Sequence, residues 1–241
     1  MNARLELVRA SGLCKRFGGI VANDTVDFVV EEGDLIGLIG PNGSGKTTLI
    51  NMLTGHLVPD SGEIAVRGER VNGRPAHIYA AMGVARSFQV TQLFGRMTVL
   101  ENLLVPGLTR AHSTRHEVAE RARGYLSFLN LTHIEHLDAK NLSGGQQKLL
   151  ELARCLMLEP TVVFLDEPFA GVHPRLREDL IEHIQELHRR GRTFVVVDHD
   201  MESILRLSRR LVVMARGAKI ADGAPAAVKA DQAVLAAYAG L

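Results

Sequence analysis

Gly40, Pro41, Asn42, Gly43, Ser44, Gly45, Lys46 and Thr47 follow the spacing G-x-x-x-x-G-K-[ST] in full. The glycines carry no Cβ, so the backbone can turn tightly and bring its N–H groups against phosphate oxygens, while the helix that follows aims its partial positive end at the same anion. A triphosphate would be held mainly by backbone. Lys46 adds a point charge for the β- and γ-phosphates, and the Thr47 hydroxyl is placed to join the shell of a Mg²⁺ ion. A second pair, Asp166-Glu167, directly follows the apolar run 161–165. There Asp166 can reach the metal, and Glu167 can act as general base toward an attacking water, a role worth ~10²–10⁴ in rate. Ser143 is a sound N-cap, and Gly144 and Gly145 after it leave the first N–H groups of a helix uncovered, a second anion-facing end. An ordinary capped helix start reads the same way. Phe17, with Gly18 and Gly19 behind it, can either stack on a purine base or fill the core.

These groups need a scaffold, and the flanking pattern supplies one. The phosphate loop lies between an apolar strand at 34–39 and a helix at 48–53, and strands are expected at 5–8, 26–30, 63–66 and 83–88. From about 98 to 158 the strand signals stop, and helices are expected at 98–105, 113–129 and from 144 onward. Strands return at 161–165, 193–197, 211–214 and 219–221, with a helix at 174–190. Strands alternating with helices call for an α/β fold with a mostly parallel sheet, its ligand at the carboxyl ends of the strands, and a helical lobe inserted into it.

At 241 residues the chain is long enough for one sizeable domain, and nothing suggests a tandem repeat. Its apolar fraction is 46% and its mean hydropathy is +0.06, but its apolar runs are of strand length, far below a membrane span. A soluble protein is expected, and the first residues lack the apolar stretch of a secretory signal, which points to the cytoplasm. A net charge of +1 makes no electrostatic case for nucleic acid or for direct lipid binding. Cys14 and Cys155 have no metal spacing and read as packing residues, and the histidine pairs 112/116 and 133/136 read as a solvated face.

The run Leu142, Ser143, Gly144, Gly145, Gln146, standing between the phosphate loop and Asp166-Glu167, resembles the signature of ABC-type ATPases along essentially the whole chain. The resemblance implies a P-loop NTPase core, a mostly parallel sheet with an antiparallel β subdomain, plus an inserted α-helical subdomain. It places the core at about 1–88 and 160–225, the helical lobe at about 89–159 and a short C-terminal extension at about 226–241. ATP and Mg²⁺ are then the ligands. ATP contacts fall on 40–47, on Thr48 and on Phe17 as the adenine-stacking aromatic; the metal falls to Thr47, Gln89 and Asp166. Glu167, Gln89 as the Q-loop residue and His199 as the switch histidine form the catalytic set. A second cassette, identical or paralogous, is implied head to tail, so that 142–146 of one chain close over the γ-phosphate held by the other. Transmembrane permease subunits are the other implied partners.

A finer likeness is to the ATP-binding subunits of branched-chain amino acid importers, which also work with a substrate-binding protein. It rests on Val84 through Gln89, Leu93-Phe94, Met97-Thr98-Val99, Glu101 through Val105 and the tail from Ala233 to Leu241. The tail and residues 166–172 are also similar to the ATPase of lipopolysaccharide export, and a soluble ABC-type switch is a further alternative. One residue departs from the family pattern: His173 stands where the D-loop usually carries Asp or Asn. The likeness implies that permease subunits insert a coupling helix near 89–97, where Phe94 and Met97 are candidate apolar contacts.

Overall fold

The structure is a computed structural model, and it describes residues 4–89, 91–109 and 114–239. His112, the expected helix start at 113, residues 1–3, Val90, and Gly240 and Leu241 of the tail lie outside the described residues. Strands β1 (Glu6–Phe17) and β2 (Ile20–Glu31) form a long antiparallel hairpin. Two glycines close it, with Gly18 at φ 57, a conformation that costs a residue without Cβ little. The short strands expected at 5–8 and 26–30 are thus parts of longer ones, and Phe17 is the last residue of β1. Strands β4 (Ser61–Val66) and β5 (Glu69–Arg70) complete a four-stranded sheet in the order β2-β1-β4-β5.

The second sheet has six strands. Strands β3 (Leu35–Ile39), β6 (Val84–Arg86), β7 (Val162–Asp166), β8 (Thr193–Val197) and β9 (Arg210–Ala215) run parallel, and β10 (Ala218–Gly223) closes the edge antiparallel, in the order β10-β9-β3-β8-β7-β6. Successive side chains point to opposite faces, so each central strand feeds two cores. Ile36, Leu38, Phe164, Val195 and Val197 pack with Phe28 and Ile50 under the antiparallel sheet. Leu165, Phe194 and Val196 pack with helical residues such as Leu150 and Leu156 on the other face. Fully burying such a side chain is worth ~1.5–3 kcal/mol, so the two cores hold the strand ends rigidly.

Helix α1 (Lys46–Leu53) follows β3, and α2 (Ala76–Ala81) precedes β6. Between β6 and β7 come α3 (Val99–Gly107), α4 (Arg115–Phe128) and α5 (Gly144–Met157), with no strand among the described residues. Thr98, Thr114 and Ser143 each begin one of these helices in a reciprocal capping box with Glu101, Glu117 and Gln146. Helix α3 runs two residues past its expected end at 105, with Pro106 in its last turn. The remaining helices are α6 (Pro174–Arg189), α7 (Met201–Leu207), α8 (Pro225–Ala230) and α9 (Gln232–Ala239). The strand expected at 83–88 shortens to β6, since the chain turns away after the Ser87 amide bonds the Phe164 carbonyl at 2.8 Å.

Candidate functional site

The loop 40–47 leaves the carboxyl end of β3, the strand flanked by both β8 and β9. A Cβ on Gly40 would stand 2.1 Å from the Met214 carbonyl, and one on Gly45, at φ 100, would stand 2.1 Å from the Ala22 carbonyl. Both contacts are with backbone, which cannot step aside. Gly45 is also the N-cap of α1 and offers no side chain to the first amides, which therefore remain available to an anion. The Lys46 ammonium folds back on the loop, donating to the Gly40 and Pro41 carbonyls at 2.7 and 2.9 Å. Burial lowers its pKa, against the pull of Glu167 and Asp166.

Asp166 ends β7 and is buried at 2% exposure. Its amide donates to Ser87 Oγ at 3.0 Å. Burial raises its carboxyl pKa, and Arg86, whose Nη2 donates to Oδ2 at 3.1 Å, opposes that rise. Glu167 is held at φ 50, a left-handed conformation a glutamate adopts only at a cost of ~1–3 kcal/mol. Its amide donates to the Val197 carbonyl at 2.7 Å, and its Oε2 accepts from Gln89 Nε2 at 3.1 Å. Gln89 and Glu167 are thus in direct contact. His199 follows β8 with its side chain 63% exposed, 3.5 Å from Asp198 through Nδ1. Phe17 is 50% exposed, which excludes the core reading and leaves its ring available for stacking.

Ser143 and Gln146 satisfy one another: the Ser143 amide donates to Gln146 Oε1 at 2.9 Å and the Gln146 amide to Ser143 Oγ at 3.4 Å. Gly144 and Gly145 occupy the two positions between them, whose amides the helix itself cannot satisfy. A Cβ on Gly144 would meet only the Gly171 carbonyl, at 3.8 Å, and one on Gly145 would strike Leu176 at 2.5 Å. Leu142 is buried in the helical core. The turn ahead of α6 thus lies beside this end of α5. His173 caps α6, accepting the Arg175 amide on Nδ1 at 3.3 Å.

Residues 23–170 match the ABC transporter family profile. The chain belongs to that family. Over 97% of its length the cassette is 39% identical to the high-affinity branched-chain amino acid transport ATP-binding protein BraF of Pseudomonas aeruginosa, covering 98% of that protein. It is 37% identical to LivG of Escherichia coli K12, a protein of the same description, with the same coverage. Among solved structures, the ADP conformation of MJ1267, an ATP-binding cassette of an ABC transporter, superposes with a TM-score of 0.87 at 36% identity, over 98% of this chain and 99% of that one. A dimeric post-hydrolysis state of the cassette MJ0796 bound to ADP and Pi gives 0.82 at 25% identity, covering 90% of this chain and 98% of that one. The cassette has the α/β fold of these ATP-binding proteins, and no helix among its described residues is long and apolar enough to cross a membrane.

Four residues of the cassette escaped sequence reasoning. Arg86 binds Asp166. Asp198, fully buried, accepts the Phe169 amide at 2.9 Å and the Asp200 amide at 3.0 Å, tying the segment after β7 to the segment after β8. Tyr238 on α9 donates its hydroxyl to Met201 Sδ at 3.7 Å, and burial raises its pKa against the opposing pull of the Gly40 backbone. Asn102, also fully buried, gathers the Phe94, Met97 and Thr98 carbonyls with Nδ2 and so shapes the loop that leaves Phe94 and Met97 exposed. A polar type within the apolar-rich run 99–105, or directly after the apolar strand 193–197, was the available signal for Asn102 and Asp198; their partners had none. The donors near Lys46 suit Mg²⁺: Thr47 and Asp166 offer hard oxygens, and that ion commonly takes one or two carboxylates and completes its shell with phosphate and water.

Proposed function

We propose that the cassette binds and hydrolyses ATP as half of a two-cassette motor for a membrane transporter, carrying branched-chain amino acids. The observation that carries this reading is that one chain holds two helix starts whose first amides are open, at Gly45 and at Gly144, and that a Cβ on Gly144 would meet within 4 Å only the Gly171 carbonyl and no atom of the loop 40–47. A facing copy or paralogue would supply Ser143 to Gln146 over the γ-phosphate held here by Lys46 and residues 40–48, with Phe17 against the adenine. Mg²⁺, held by Thr47, Asp166 and Gln89, would neutralise charge on the β- and γ-oxygens. Glu167 takes a proton from water while the water oxygen bonds to the γ-phosphorus; the bond to the bridging oxygen breaks, and ADP keeps its electron pair. Gln89 orients Glu167 and the water, and His199 contacts the γ-phosphate. Loss of that phosphate removes the bridge between the cassettes, which separate.

Phe94 and Met97, 43% and 37% exposed, offer permease subunits an apolar contact at the edge of the helical lobe, residues 89–159. The cassette then sits on the cytoplasmic face of the membrane through its partners. The solute assignment is supported by relatives 39% and 37% identical over nearly the whole chain. Turnover per cassette should rise with cassette concentration and fall steeply in Ser143→Ala. A strictly monomeric sample with full activity would refute the shared-site reading, and copurification with permeases for a different solute would refute the solute.

A further inference from the structure

Arg86 ends β6 with its side chain 6% exposed. Besides the 3.1 Å contact with Asp166 Oδ2, its Nη1 donates to Asn51 Oδ1 at 2.6 Å and to Thr54 Oγ1 at 3.2 Å, and its Nε donates to the Ser87 carbonyl at 3.1 Å. The Phe88 ring covers the guanidinium at 4.8 Å. One cation thus joins the helix that follows the phosphate loop, the strand end bearing Asp166, and the segment leading to Gln89. Burying such a pair is weak evidence for stability, since apolar residues of similar volume often do as well or better. Its placement is the informative part. Arg86 engages Asp166 through one N–H on one oxygen, and four of the five N–H groups of its planar fork meet acceptors on three different segments.

We propose that Arg86 is a positioning residue for the metal-side carboxylate: by fixing Asp166 Oδ2 it restricts how the other oxygen can turn, and it ties that orientation to α1 and to the Phe88-Gln89 segment. This rests on the reading of Asp166 as a Mg²⁺ residue. It predicts an effect on metal affinity separate from nucleotide affinity, because the loop 40–47 binds phosphate through its own backbone and Lys46.

The test uses the full chain and a fluorescent ATP analogue, titrated first in chelator and then with Mg²⁺, reading bound-nucleotide signal rather than turnover. Arg86→Met should leave binding in chelator within about twofold of wild type. It should raise the Mg²⁺ concentration for half-saturation ~10-fold or more, the usual scale for losing a residue that orients a metal ligand. Arg86→Lys should recover little, since an ammonium cannot span the four acceptors. Arg86→Met combined with Asp166→Asn should need no more Mg²⁺ than Asp166→Asn alone. An unchanged Mg²⁺ requirement in Arg86→Met, or a double variant worse than Asp166→Asn, overturns the proposal. If Asp166→Asn itself leaves the Mg²⁺ requirement unchanged, the metal reading of Asp166 fails instead. Should Arg86→Met not fold, Asn51→Ala removes the 2.6 Å anchor and leaves Asp166 intact. A rise of about threefold then supports the proposal, and no rise overturns it.

Discussion

On the proposed reading Glu167 and Lys46 have separable duties, and their variants should separate binding from chemistry. Glu167→Gln keeps the acceptor that Gln89 holds at 3.1 Å but cannot take a proton from water. It should retain ATP, accumulate a closed dimer by size-exclusion chromatography, and lose turnover by ~10²-fold or more. Lys46→Ala should instead lose nucleotide affinity, measurable by direct titration. His173 poses a different question, that of the helix it caps. As the cap of α6 it accepts the Arg175 amide on Nδ1. His173→Ala removes that acceptor and should lower the melting temperature by the loss of a cap worth ~1 kcal/mol, while His173→Asn, itself a strong cap, should hold it. Equal melting of the two variants would sink the capping role.

At the scale of elements, α6 packs its His183 against Phe128 of α4, ring centroids 5.0 Å apart. Burial lowers the His183 pKa from its ordinary 6.5, with Asp179 and Glu182 pulling the other way. The folded state thus takes up its proton at lower pH than the unfolded chain does. The stability this neutral ring contributes is complete above 6.5 and is lost as pH falls from there through the folded value. A melting series from about pH 7.5 to 5.5 should show a shallower decline in His183→Leu than in wild type. Helix α3 and the loop before it are likewise set by one residue, Asn102, whose amide binds three carbonyls. That arrangement holds out Phe94, with the Arg154 guanidinium 4.9 Å from its ring. Phe94→Ser should weaken capture of permease subunits ~10-fold in a pull-down from solubilised membranes while leaving basal turnover intact.

Across the whole molecule, what could be read in advance was what depends on near neighbours. Residues 40–47 announce a phosphate loop because glycine spacing and the flanking strand and helix are all local. The strand at 193–197 and the helix starts at Ser143 and near Pro174 follow equally from local pattern and caps. Short elements such as α2 and β5, and the two small helices of the C-terminal segment, carry too few residues for periodicity to register.

The sequence by itself therefore determined the chemistry available to this protein: which residues can cradle phosphate, carry a metal-side carboxylate or cap a helix toward an anion. Only the tertiary structure decided which of them meet. Arg86 reaches Asp166 across 80 positions and Gln89 reaches Glu167 across 78, while Phe17 is left in solvent. The physical reason is that the parallel sheet brings distant strand ends side by side, and a residue's type records its own capacity for bonding but not the address of its partner.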